Sequence, residues 1–297
     1  MRDYYHCSTE YRVLRYQDWQ TTPTNARRTA LPHTLQISAC EVERFRGIRG
    51  ARMPVSLPRS YQVPSTAVPY SWSMPLLAAA MLFDLDGVLA DSTRSVVRAW
   101  SAWARRVGLD PDELIPKVHG RRAIETIRSV RPELDAEAEL ATLVADETTD
   151  NDDTVEIPGA GALVRSLPSD AWAIVTSGLR DVATARLVAA GIPIPAIMIT
   201  AESIERGKPD PDCYLRGAAA LGVAPAACVV VEDAPIGAAA ARAAGMRLVG
   251  LTTTHSRAEL EPAALIVPDL THVAVKVMER TIGTGRGSVR LEIGAKR

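Results

Sequence analysis

From Leu76 onward the chain repeats one pattern: a short apolar run, a helical stretch rich in alanine, then a glycine. The apolar runs fall at 79–83, 171–175, 196–200, 228–231, 247–251 and 265–267. Between the later runs lie stretches of helical spacing at 181–190, 211–221 and 236–244. They end at Gly191, Gly222 and Gly245, where a glycine C-cap is common. Runs this short and this continuously apolar are strands buried on both faces. Strands that alternate with helices build a parallel sheet covered on both sides. The expected fold class is therefore α/β, with a doubly wound parallel-sheet core.

The alternation breaks once. Between Phe83 and Ala171 the sequence shows helical spacing and no strand signal. Val96, Val97, Trp100, Trp103, Ala104 and Val107 line one helical face. Asp110-Pro111-Asp112-Glu113 reads as a helix start with an acid at the third position. Further helical stretches cover 121–130 and 135–147. The chain turns back near Ile157-Pro158-Gly159. These features predict a small all-helical domain over 95–156, inserted into a core made of 74–94 and 157–297.

Residues 1–73 differ from the rest. They carry ten arginines, no lysine and five acidic residues, and no apolar period persists. The expectation is a disordered extension outside the fold. An organelle-targeting segment and a basic arm for an anionic partner are the alternatives. Over the whole chain the net charge is −1, which offers no electrostatic argument for nucleic acid or an anionic membrane. The four cysteines lack a Cys-x-x-Cys pair and are too sparse for a disulfide framework. No apolar run reaches the roughly 18 residues that span a bilayer. A cytoplasmic protein is expected, monomeric or weakly dimeric.

Four strand ends carry polar groups, and ligands of such sheets gather at the carboxyl ends of the strands. Asp84 and Asp86 follow the first run, with Gly87 after them. Thr176, Ser177 and Gly178 follow the second. A hydroxyl and free backbone N–H groups there suit phosphate oxygens, although Ser177 can equally be a helix cap. Lys208 is braced between Gly207 and Pro209. Glu232 and Asp233 end the run 228–231. Carboxylates at a buried strand end are costly unless a cation pairs them, and Mg²⁺ suits oxygen donors.

These motifs, Asp84-Leu85-Asp86-Gly87-Val88, Val175-Thr176-Ser177-Gly178, Gly207-Lys208-Pro209-Asp210-Pro211 and Val229-Val230-Val231-Glu232-Asp233, resemble the four motifs of the haloacid dehalogenase superfamily. The helical insert resembles the family's cap domain. On that resemblance Asp84 is a nucleophile that becomes phosphorylated, and Asp86 is the general acid and base. Thr176, Ser177 and Gly178 hold the transferring phosphoryl oxygens, and Lys208 balances charge. Mg²⁺ is held by Asp84, Asp233 and the main-chain carbonyl of Asp86, with Glu232 beside it, directly or through water. Members that cleave carbon–halogen bonds lack an acid at the place of Asp86.

The stretch 172–255 and the run His119-Gly120-Arg121 resemble a subgroup of sugar-phosphate and polyol-phosphate phosphatases. His119 and Arg121 are candidate substrate contacts in the cap, and the expected partner is a small phosphate ester. A β-phosphoglucomutase-like isomerase is the runner-up. Such mutases carry a cap-hinge histidine soon after the nucleophile, where this chain has Ser95-Val96-Val97-Arg98. A catalytically silent binding module is the third reading.

Overall fold

A computed structural model describes residues 75–281 and 288–296 of the 297-residue chain. The expectation for residues 1–73 lies outside them. In chain order the elements begin with β1 (Leu76–Ala78), β2 (Ala80–Phe83), β3 (Ala90–Asp91), α1 (Thr93–Arg106), α2 (Pro111–Leu114), α3 (Ala123–Val130) and α4 (Ala136–Thr149). They continue with β4 (Val155–Glu156), α5 (Ala160–Ser166), β5 (Trp172–Val175), α6 (Arg180–Ala189), β6 (Met198–Ile199), α7 (Asp212–Leu221) and β7 (Cys228–Glu232). The last are α8 (Pro235–Ala243), β8 (Arg247–Leu251), α9 (Arg257–Leu260), β9 (Leu265–Val267), β10 (Val273–Thr281) and β11 (Ser288–Ala295).

The main sheet has the order β6-β5-β2-β7-β8-β9, and every pairing in it is parallel. Alternation along each strand sends side chains to two separate cores. Met81, Phe83, Ile174, Val229 and Val231 pack with Leu163 and Val164 of α5 and Ala183 and Leu187 of α6. Ala80, Leu82, Ala173, Cys228 and Val230 pack with Tyr214 and Ala218 of α7 and Ala238 and Ala241 of α8. Helices thus cover both faces, which gives the doubly wound core its shape. Chain order strings the strands outward from β2, so β2 lies between β5 and β7. The carboxyl ends of these three strands lie side by side.

Helices α1 to α4 share a core of their own, with Trp100, Trp103, Leu114, Ile127 and Leu143 buried in it. The Trp100 and Trp103 rings meet edge to face at 5.6 Å, a contact worth about 0.5–1.5 kcal/mol beyond area burial. Asp110 caps α2 by accepting the Asp112 N–H at 3.0 Å. Val97 turns outward and is exposed, so it does not belong to the buried face of α1.

Two elements depart from the sequence reading. The insert is flanked by the two-residue strands β3 and β4, which pair antiparallel and tie its entry to its exit. Two residues are too few to show an alternation. The lead-in to β2 is a separate strand, β1, which pairs antiparallel with β11. With β10 these form a second, three-stranded sheet, whose Leu291 and Ile293 pack into the core beside Ala78. Among the described residues no helix is long and apolar enough to cross a membrane.

Candidate functional site

Asp84 follows the last residue of β2, and its N–H still donates to Val231 O of β7 at 3.0 Å. The strand therefore delivers it to the sheet's carboxyl edge. Its Oδ1 accepts the Leu85 N–H at 2.8 Å, and its Oδ2 lies 2.8 Å from Lys208 Nζ. Lys208 is buried, and Nζ also donates to Glu232 Oε1 at 2.6 Å. That oxygen accepts the Tyr214 hydroxyl at 2.8 Å, while Oε2 accepts the N–H groups of Asp233 and Ala234 at 3.0 and 3.1 Å. Glu232 faces the α7–α8 side, as Val230 does, and is saturated there.

Burial pushes the Asp84 carboxyl well above its ordinary value. Lys208 opposes that rise, and the neighbouring acids Glu232 and Asp233 add to it. Burial would also raise Glu232, but Lys208, Tyr214 and the Ala234 N–H hold it below the usual range. Burial would lower Lys208, but Asp84 and Glu232 together raise it, so it stays charged. One ammonium thus serves two carboxyls in a dry site.

Asp233 points the other way from Glu232. Its Oδ2 accepts the hydroxyl of Thr254 and lies 3.0 Å from His119 Nε2. Its Oδ1 is buried and has no hydrogen-bond partner among the described residues. An orphaned carboxylate oxygen is rare in a folded interior and calls for a cation. Asp84, Glu232 and Asp233 can each bring one oxygen within 4.8 Å of the others, an all-oxygen donor set suited to a hard divalent ion. Gly87 keeps this space open. Its φ is +78°, and a Cβ there would stand 2.1 Å from Asp233 Oδ2.

Thr176 follows the last residue of β5, and its hydroxyl accepts the Gly178 N–H at 3.0 Å. Ser177 does not cap α6, whose N-cap is Leu179. Its hydroxyl donates instead to Gly120 O at 2.8 Å, across to the loop between α2 and α3. That loop also carries His119, whose imidazole reaches Asp233. Burial would lower His119, but Asp233 with Asp86 and Asp84 behind it raises it to about 9. Arg121 is exposed and lines the cavity, whereas Arg122 bonds Glu125 Oε1 and Glu205 O.

Asp86 is held by residues that the sequence reading missed. Arg186 Nη1 donates to both of its carboxylate oxygens at 2.9 Å, and the Ser92 hydroxyl donates to Oδ1 at 2.5 Å. Arg186 Nη2 donates to Glu147 Oε1 at 2.9 Å. Thr253, Thr254 and His255 also escaped the sequence reading. They follow β8, one more carboxyl strand end of the same sheet, so the strand-end rule points to them. Thr253 donates to Gly87 O at 2.5 Å, and His255 Nδ1 lies 3.1 Å from Asp233 O.

Asp84, Asp86, Thr176, His119, Arg186 and Thr254 open onto one cavity of about 950 Å³, while Lys208, Glu232 and Asp233 are buried beside Asp84. Asp84, Asp86 and Thr176 form its floor, and Trp100, His119 and Arg121 line the side built by the helices. That volume admits a molecule the size of a phosphorylated sugar.

A family profile described as haloacid dehalogenase-like hydrolase matches residues 78–245. Hexitol phosphatase A of Escherichia coli (strain K12) is 44% identical over 199 residues, which is 65% of this chain and 92% of that protein. 2-Deoxyglucose-6-phosphate phosphatase 1 of Saccharomyces cerevisiae (strain ATCC 204508 / S288c) is 34% identical over 218 residues, 65% of this chain and 89% of that one. Among solved structures, a hydrolase from Pseudomonas syringae superposes with a TM-score of 0.59 at 30% identity, covering 65% of this chain and 94% of that chain.

Proposed function

The chain belongs to the haloacid dehalogenase-like hydrolase family, and we propose that it is a Mg²⁺-dependent phosphatase of small sugar or polyol phosphates. The observation that carries this reading is the placement of Asp84, Asp86 and Thr176 on one cavity at the sheet's carboxyl edge, with Lys208 buried 2.8 Å from Asp84 and Asp233 beside it. The hexitol and deoxyglucose phosphatases among its relatives support the substrate class.

Asp84 is the nucleophile. One of its oxygens attacks phosphorus in line, the bond to the leaving oxygen breaks, and an aspartyl-phosphate forms. Asp86, two residues on, gives its proton to the leaving alkoxide. In the second step Asp86 takes a proton from water as the water oxygen attacks phosphorus and the bond to Asp84 breaks. The Thr176 hydroxyl and the N–H groups of Ser177 and Gly178 hold phosphoryl oxygens, and Lys208 offsets the charge that gathers at Asp84.

Mg²⁺ would be held by Asp84, Asp233 and the main-chain carbonyl of Asp86, with Glu232 beside the site rather than a direct ligand, because Lys208, Tyr214 and two backbone N–H groups take up its oxygens. When bound, it supplies charge neutralisation and alignment of the phosphoryl group. The unpartnered Asp233 Oδ1 is where this chain's own geometry asks for it. The helices α1 to α4 act as a cap, from which His119 and Arg121 reach the part of the substrate beyond the phosphate.

A phosphate-release screen over hexose, deoxyhexose, hexitol, glycerol and glycolate phosphates with Mg²⁺ tests the reading. Release of inorganic phosphate from sugar or polyol esters, abolished in Asp84→Asn, is the expected result. Interconversion of sugar phosphates without release would identify a mutase. Metal binding without turnover of any ester would identify a silent module.

A further inference from the structure

Arg186 lies in the last turn of α6 and is buried, with 4% of its surface exposed. Its neighbours on the same buried face are Val182, Ala183 and Leu187, so packing alone would be served by an aliphatic side chain. Burying a guanidinium is costly, and here the cost is not fully recovered: Nε is buried without a hydrogen-bond partner among the described residues. What the arginine does achieve is a bridge. Nη1 spans both oxygens of Asp86, and Nη2 reaches Glu147 in the last turn of α4. The planar fork sets the angle between the two carboxylates, which a lysine ammonium cannot do. Among the described residues, the Asp86 carboxylate is otherwise held by the Ser92 hydroxyl alone.

We infer that Arg186 is a positioning residue that aims the Asp86 carboxyl for its proton transfers, and that Glu147 sets Arg186 from the helical insert. The inference rests on the assignment of Asp86 as acid and base. Arg186 touches no reacting atom in this scheme. It fixes the orientation from which Asp86 delivers a proton to the leaving oxygen and later accepts one from the attacking water. The contact to Glu147 makes the seating of α4 a condition for that orientation.

The test compares leaving groups. An alkoxide from sorbitol 6-phosphate needs the Asp86 proton, whereas p-nitrophenolate leaves without it. Arg186→Met, Arg186→Lys and Glu147→Gln are assayed with Mg²⁺ beside Asp86→Asn. Steady-state turnover of sorbitol 6-phosphate and the pre-steady-state burst of p-nitrophenolate are both measured. Asp86→Asn sets the reference: turnover of the sugar ester falls on the order of 10²–10⁴-fold, while the burst persists.

The inference expects Arg186→Met to follow that pattern, with about a 10²-fold loss on the sugar ester, less than threefold on the burst rate, and little change in KM. Arg186→Lys recovers part of the loss, and Glu147→Gln loses less than Arg186→Met. An equal loss on both substrates in the Arg186 variants, with Asp86→Asn discriminating, makes Arg186 a packing residue and overturns the inference alone. Failure of Asp86→Asn itself to discriminate overturns the acid–base assignment and the inference with it. If Arg186→Met does not fold, the same comparison on Arg186→Lys and Glu147→Gln decides.

Discussion

Lys208 Nζ stands 2.8 Å from Asp84 Oδ2, and the same nitrogen stands 2.6 Å from Glu232 Oε1. One buried cation therefore compensates two buried carboxyls. Removing it leaves both without a partner of opposite charge, and breaking a buried pair in this way costs about 3–5 kcal/mol. Lys208→Met is expected to lower the unfolding free energy by that amount and to abolish turnover. Lys208→Met combined with Glu232→Gln removes one of the stranded charges. It should recover part of the stability and none of the activity. Urea unfolding of the single and double variants, alongside phosphate release, checks both halves.

Asp84→Asn separates stability from chemistry in the opposite sense. Burial raises the Asp84 carboxyl, Lys208 opposes that rise, and Glu232 and Asp233 add to it. A carboxyl raised in the folded state contributes stability that is present below its ordinary value and is lost as the pH rises through its folded one. At pH 8 the metal-free wild type carries that loss, and the neutral amide does not. The variant should be as stable as wild type, or more stable by about 1–2 kcal/mol. Its turnover should fall by roughly 10⁴-fold or more. Thermal melts in chelator at pH 8 and a phosphate-release assay with Mg²⁺ give the two readings. A destabilised Asp84→Asn would contradict the electrostatic account.

Much of this was legible before any coordinates. Asp84, Thr176, Lys208, Glu232 and Asp233 are marked because each stands beside an apolar run or a stiff Gly-Pro turn, a local signal. The parallel sheet is equally local in origin, since it follows from alternating strand and helix periods. Glu232 and Asp233 show where local reading stops. They are neighbours in sequence, yet strand alternation sends Glu232 to Lys208 and Tyr214 and leaves Asp233 Oδ1 open. Arg186 was beyond reach for another reason. A helical arginine is ordinarily solvated, and its partners lie 100 and 39 residues away along the chain. The strands β3 and β4 are too short to carry a period.

Gly237 tests whether the saturated Glu232 has room to give. The glycine lies in the first turn of α8, and a Cβ there would stand 1.6 Å from Glu232 Oε1. The carboxylate cannot step aside cheaply, because both oxygens are already bonded on two sides. Gly237→Ala normally favours a helix by up to about 1 kcal/mol. Here the clash should dominate and destabilise by about 2–3 kcal/mol, the range for overpacking a filled core. Activity should fall as well, since Glu232 can move only by dragging Lys208. A midpoint unchanged in urea would show that Glu232 is free to relocate.

His119 links the helical insert to Asp233 through a charge that depends on pH. Its imidazole is raised to about 9, so it is protonated at neutral pH and paired with the carboxylate at 3.0 Å. A histidine raised in this way contributes stability that is fully present below its ordinary value of about 6.5 and is lost as the pH climbs through about 9. In chelator, the wild type should therefore lose stability between these limits. With the side chain 31% exposed, screening holds the change to about 1–2 kcal/mol. His119→Gln should flatten that slope while leaving the melting temperature above pH 9 close to wild type. Saturating Mg²⁺ competes with the imidazolium for Asp233, so it should flatten the wild-type slope too and stabilise more at pH 8 than at pH 6. Melts of both proteins across this range, with chelator and with Mg²⁺, distinguish an ion pair between cap and core from a histidine that only packs. The second case predicts parallel curves for the two proteins under both conditions.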